Sequence, residues 1–175
     1  MKKNFILASL VMILGTFSSF SALSYDGKIQ FTGKIIENGC TVAAGAKGKE
    51  VEVNFGSLLK STFGPDKNTV GVSKGFSISL TTCPRAEALG ISFDGEPDAN
   101  NKAVYSSGVT GVGIQIFRED GTTEIKPGEY ATRVATVGAP NGNTDMQFIA
   151  KLISTNTNIA TGNINKPINF TIIYP

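Results

Sequence analysis

A chain of 175 residues with 16 basic and 14 acidic side chains is too evenly charged to point to nucleic acid or another polyanion as its partner. It has no histidine and only two cysteines, so metal ligation and acid–base catalysis lose their commonest residues, and the remaining carboxylates and lysines are scattered over turns and polar faces. At 41% hydrophobic with 20 glycines, it has the length and composition of one domain with a real core.

In chain order, Lys2 and Lys3 open a basic start, and Phe5 to Leu14 is an apolar run too short to span a bilayer comfortably. Ala22 and Ser24 then place small residues where a signal peptidase reads. Residues 1–24 are expected to be an export signal cut before Tyr25, since no stop-transfer pattern follows to favour an uncleaved anchor. Loss of the two lysines leaves a mature chain with no net formal charge.

From Gly27 the pattern is that of strands and turns. Gly27, Ile29, Phe31, Gly33 and Ile35 alternate with Lys28, Gln30, Thr32 and Lys34, a period of two that predicts a first strand with one apolar face. Val51, Val53 and Phe55 predict a second. After a polar loop around Gly64-Pro65-Asp66, Phe76, Ile78 and Leu80 run into Cys83. Ala86 to Leu89 reads as one helical turn at most, followed by Ile91 and Phe93 and a turn-rich stretch from Asp94 to Asn101. Val112, Ile114 and Ile116 alternate before Glu119-Asp-Gly121. Ala131 to Val137 is short and β-branched, and Met146, Phe148, Ala150 and Leu152 form a strong penultimate strand. A polar connection, Thr155 to Lys166, leads to the last stretch, where Phe170, Ile172 and Tyr174 alternate with Asn169, Thr171 and Ile173. Short strands at this spacing, punctuated by glycine, asparagine and proline, predict an all-β sandwich.

The tail poses the chain's main problem. A central strand with no partner strand after it leaves backbone donors and acceptors and an apolar face uncovered. The sequence therefore calls for a strand from elsewhere.

Other patterns are weaker. Gly108-Val-Thr-Gly-Val-Gly113 has the wrong glycine spacing for a dinucleotide loop and leads into a strand. Asp94, Glu96 and Asp98 lack the glycine and closing glutamate of a calcium loop and read as a turn. Asn169-Phe-Thr171 fits a glycosylation triplet but falls in a stretch that is expected to be a buried strand. Cys40 and Cys83, both in the exported part, take a disulfide as their default; a metal site would need further ligands, and a redox pair lacks C-x-x-C spacing. In the chain-entropy model such a bridge contributes about 4 kcal/mol.

Taken together, these residues resemble a subunit of the type 1 fimbrial family, assembled by the chaperone–usher route. Gly27-Lys-Ile-Gln-Phe-Thr-Gly-Lys-Ile-Ile-Glu-Asn-Gly-Cys40 is similar to that family's N-terminal extension, first strand and first cysteine. Cys83 matches the second cysteine, and Met146 to Leu152 resembles the penultimate-strand motif. Gly162, fourteenth from the end, and Tyr174 match the C-terminal signature. The resemblance implies an incomplete immunoglobulin-like β-sandwich lacking its last strand, with no cofactor, no catalysis and no nucleic-acid partner. It divides the chain into a signal (1–24), a donor extension (25–36) and a pilin domain (37–175). It further implies that Gly27, Ile29, Phe31, Gly33 and Ile35 form a donor strand. The acceptor groove would involve Gly162, Phe170, Ile172 and Tyr174, and basic side chains of a periplasmic chaperone would hold the Pro175 carboxylate. An outer-membrane usher would exchange the chaperone for the next subunit, carrying the protein through the periplasm into a cell-surface fimbria that supports adhesion. The short stretch between Tyr25 and Cys40 resembles minor or adaptor subunits more than rod subunits. The rival reading is a single-domain carbohydrate- or receptor-binding surface module, which would be a stable monomer without chaperone or added strand.

Overall fold

The computed structural model describes residues 27–33, 35, 36 and 38–174; the expected signal, 1–24, lies outside the described residues, as does Pro175. The chain divides into two units, Met1–Ile35 and Ile36–Pro175. Among the described residues, all regular structure belongs to the second: β1 (Thr41–Val42), β2 (Val70–Cys83), β3 (Ala86–Asp94), β4 (Tyr105–Ser106), β5 (Val112–Arg118), β6 (Glu124–Ile125), β7 (Tyr130–Val137), β8 (Gly142–Ser154) and β9 (Asn169–Ile173). Two 3-10 turns, Gly45–Lys47 and Lys60–Phe63, are the helical elements among them.

The strands form two antiparallel sheets. One runs β1-β2-β8-β5-β4, with β6 on β5; the other runs β7-β3-β9. Period-two patterning explains the pairing at the centre of the first. Phe76 faces Phe148 and Ile78 faces Met146 across the β2–β8 ladder, so the apolar sets of both strands share one face. Ile78, Leu80, Met146, Phe148 and Leu152 are all essentially inaccessible to solvent. Each such burial contributes about 1.5–3 kcal/mol. Phe76, Phe93 and Phe148 meet between the sheets, with Phe93 edge-on to Phe148 at 5.2 Å between centroids.

Three sequence expectations need correction. Ala86–Leu89 is strand, because Ala86 pairs with Val137 and Leu89 with Ala135; cross-strand partners override a weak helical preference. That pairing is irregular, with register shifts on either side of Leu89 and Arg133 in the left-handed region at φ 55°. Residues 51–55 alternate in burial, yet they form no ladder with any described strand. Residues 27–33 and 35 likewise form no ladder among the described residues.

Cys40 and Cys83 are disulfide-bonded, tying the chain just ahead of β1 to the end of β2. Tyr105, which the sequence reading passed over, is fully buried and donates its hydroxyl to the Ile125 carbonyl at 3.3 Å. Burial first, and then the charges of Glu129, Glu124 and Asp94, push that hydroxyl far above the usual tyrosine range.

Candidate strand-acceptor groove

An open cleft of about 1560 Å³ runs along one side of the sandwich. Small-ligand pockets span roughly 300–1,000 Å³, so the volume suits a length of polypeptide better than a metabolite. Its floor is apolar, built from Phe76 and Ile78 of β2, Phe93 of β3 and Ile114 and Ile116 of β5. These side chains point there because each lies on the inward phase of a paired strand.

The two rims are the unusual part. One is the stretch 49–58, a turn at Lys49 and Glu50 followed by backbone without regular secondary structure. Val51 and Phe55 pack onto the core while Glu50, Glu52 and Asn54 are exposed. Among the described residues, no backbone N–H from 51 to 58 donates to a backbone carbonyl; that of Gly56 goes to Asn54 Oδ1 at 2.8 Å. Gly56 turns the chain within this stretch at φ +73°, a conformation that glycine adopts without strain.

The other rim is the β8–β9 connection and the start of β9. Ile159 is buried, and the Ala160 N–H donates to the Thr110 carbonyl at 3.0 Å, pinning the connection to the turn before β5. Lys166 Nζ meets Glu96 Oε2 at 2.7 Å, and this partner holds the exposed Glu96 carboxyl below the usual glutamate range. β9 pairs with β3 from Asn169 opposite Asp94 to Ile173 opposite Gly90, and its other edge carries no strand among the described residues. Two backbone edges without ladder partners thus flank an apolar trough, the arrangement that accepts an added strand.

Gly162 and Phe170 line the cleft. A Cβ at Gly162 would stand 3.3 Å from Val109 Cγ2, so glycine lets the rim settle close to the floor. Ile172 and Tyr174 lie outside the lining and pack against the core instead. The Tyr174 hydroxyl accepts the Cys40 N–H at 2.5 Å, which joins the end of β9 to the disulfide. Gly39 permits this approach, since its Cβ would come within 2.8 Å of the same oxygen. In the other unit, Gly27 and Gly33 are exposed, Ile29 is 81% exposed, Phe31 92% and Ile35 fully so.

The family model described as fimbrial protein matches residues 29–175. The chain belongs to the fimbrial protein family. This fimbrial chain is 30% identical to the F17 fimbrial protein of Escherichia coli, an alignment covering 99% of this chain and 98% of that protein. It is also 30% identical to long polar fimbria protein A of Salmonella typhimurium, over 99% and 97% of the two chains. Among solved structures it is similar to the P pilus rod subunit PapA, with a TM-score of 0.61 and 14% identity over 79% of this chain and 100% of that one. The fold is therefore the incomplete immunoglobulin-like β-sandwich of chaperone–usher pilus subunits.

The fimbrial chain's first rim and part of its groove wall escaped the sequence reading. Val51, Val53 and Phe55 show the right period, but period alone does not say that a stretch lacks a ladder. Val109 and Ile159 sit singly in polar loops, where no periodicity exposes them. Lys166 carried no signal at all. The acidic triad that superficially suggested calcium is an Asx turn at its end: Asp98 Oδ1 accepts the N–H groups of Asn100 and Asn101 at 2.9 and 3.1 Å.

Proposed function

We propose that this protein is a non-catalytic structural subunit of a cell-surface fimbria, joined head to tail by insertion of residues 27–35 of one copy into the groove of the next. The observation that carries this reading is the apolar trough between two unladdered backbone edges. In the register proposed, Ile29 and Phe31 enter the trough, where burial contributes about 1.5–3 kcal/mol each. Each new strand hydrogen bond adds about 1 kcal/mol net. Gly27 and Gly33 suit points where a side chain would strike the trough wall. A slip by one residue would turn Lys28, Gln30 and Thr32 inward, so register is strict.

Before polymerisation a periplasmic chaperone occupies the trough, with its basic side chains on the Pro175 carboxylate, and an outer-membrane usher performs the exchange. In this reading the mature chain begins at Tyr25, residues 25–36 are the donor extension and 37–175 the pilin domain. Fimbrial relatives support a structural role rather than an enzymatic one.

The test is to co-express the protein lacking residues 25–33 with its chaperone. The expected product is a chaperone-bound subunit that accepts a neighbour's extension but cannot itself be inserted into another. Normal incorporation of the truncated form along a filament, or a stable monomer without chaperone or donor peptide, would overturn the proposal.

A further inference from the structure

The rim formed by residues 49–58 has a charge pattern that the insertion chemistry alone does not require. Its outward positions carry Glu50 and Glu52, both exposed, while Val51 and Phe55 turn to the core. Lys49 and Lys60 stand at its ends, and no basic residue lies from 50 to 58. The opposite rim is different. β9 presents Asn169 and Thr171 outward, and Lys166 is already paired with Glu96.

The stretch 27–35 carries the complementary pattern. With Ile29 and Phe31 inward, its outward positions are Lys28, Gln30, Thr32 and Lys34, two cations and no acid. Opposite charges on neighbouring strands of one sheet face attract, and like charges repel. Such pairs also steer the encounter, because the field of two acids reaches about 10 Å at 0.1 M salt.

Resting on the strand-insertion reading, we propose that Glu50 and Glu52 are the specificity-determining residues of the groove, selecting a basic-faced donor strand, that of a second copy of this chain, through Lys28 and Lys34. The apolar face supplies most of the binding free energy, and the charged face decides which strand is taken up and how fast.

The experiment uses the full mature chain purified with its chaperone, and a fluorescent peptide of residues 27–36 as the probe. Capture of the wild-type peptide should slow about fivefold when salt is raised from about 0.05 to 0.5 M. Glu50→Lys with Glu52→Lys in the subunit should slow it by about the same factor at low salt. A peptide with Lys28→Glu and Lys34→Glu should restore the rate on that variant while being slow on the wild-type subunit. Should the variant fail to form its chaperone complex, the reversed peptide on wild-type protein reads the same pairing.

Capture that ignores both salt and charge reversal overturns this inference and leaves strand insertion standing. Absence of capture for every peptide overturns strand insertion, and this inference with it.

Discussion

Two stretches of this protein share one pattern and meet different ends. Phe76, Ile78 and Leu80 alternate within β2 and are locked into a ladder with β8, whereas Val51, Val53 and Phe55 alternate just as cleanly and pair with no described strand. Both stretches turn apolar side chains toward the same trough. The difference lies in the backbone: β2 is laddered to β8 along its length and to β1 at Leu80 and Thr81, and the rim has no ladder partner among the described residues. Period two encodes which face is buried. It does not encode where the hydrogen bonds go.

Experiments that separate face from ladder sharpen this comparison. The largest effect should come from Cys40→Ser with Cys83→Ser, which removes about 4 kcal/mol and leaves the end of β2 untethered. Urea denaturation of the subunit loaded with donor peptide would measure it, and an unchanged midpoint would refute the role. Leu80→Ala, deep in the paired stretch, should cost about 2–5 kcal/mol with donor peptide bound. Phe55→Ala on the rim, where the side chain is only partly buried, should cost the chaperone-bound subunit less than Leu80→Ala while speeding release of the inserted peptide. If the two substitutions behave alike, the rim is an ordinary strand.

Next comes the inserted stretch. Phe31→Asp should abolish capture of the 27–36 peptide, and Thr32→Asp should alter it only a few-fold, because the proposed register puts the first in the trough and the second in solvent. Equal effects would mean the register is off by one.

The smallest effect concerns the opposite rim. Glu96 has its carboxyl depressed by Lys166, so the pair stabilises the rim above the ordinary glutamate range and is lost as pH falls through the lowered value. Both groups are exposed, so the shift in melting temperature of the peptide-loaded subunit should be slight. Lys166→Gln should remove that part of the acid dependence; identical profiles would show that the ion pair does not hold the rim.

Much of the architecture was readable from residue order. Strands centred on Phe76–Leu80, Ile91–Phe93, Val112–Ile116 and Met146–Leu152 announce themselves because each has three or more alternating apolar positions or a close equivalent flanked by turns. β4 and β6 have two residues each, too few for any period, and were invisible although Tyr105 in β4 is among the largest fully buried side chains. Phe170 and Gly162 could be placed near the trough from the family pattern. Ile172 and Tyr174 share Phe170's phase but lie outside the cleft lining, because β9 continues past the cleft and Tyr174 turns to Cys40. Phase is a local property, and the length of a groove is not.

The contact between Tyr174 and Cys40 also bears on how such a polymer carries tension. Force along a filament would enter each subunit through the covalent chain leading from residue 35 to Cys40. There the disulfide hands it to β2 in one sheet, and the tyrosine hydroxyl hands part of it to β9 in the other. A pull would thus reach both layers, β2 through the covalent bridge and β9 through one hydrogen bond.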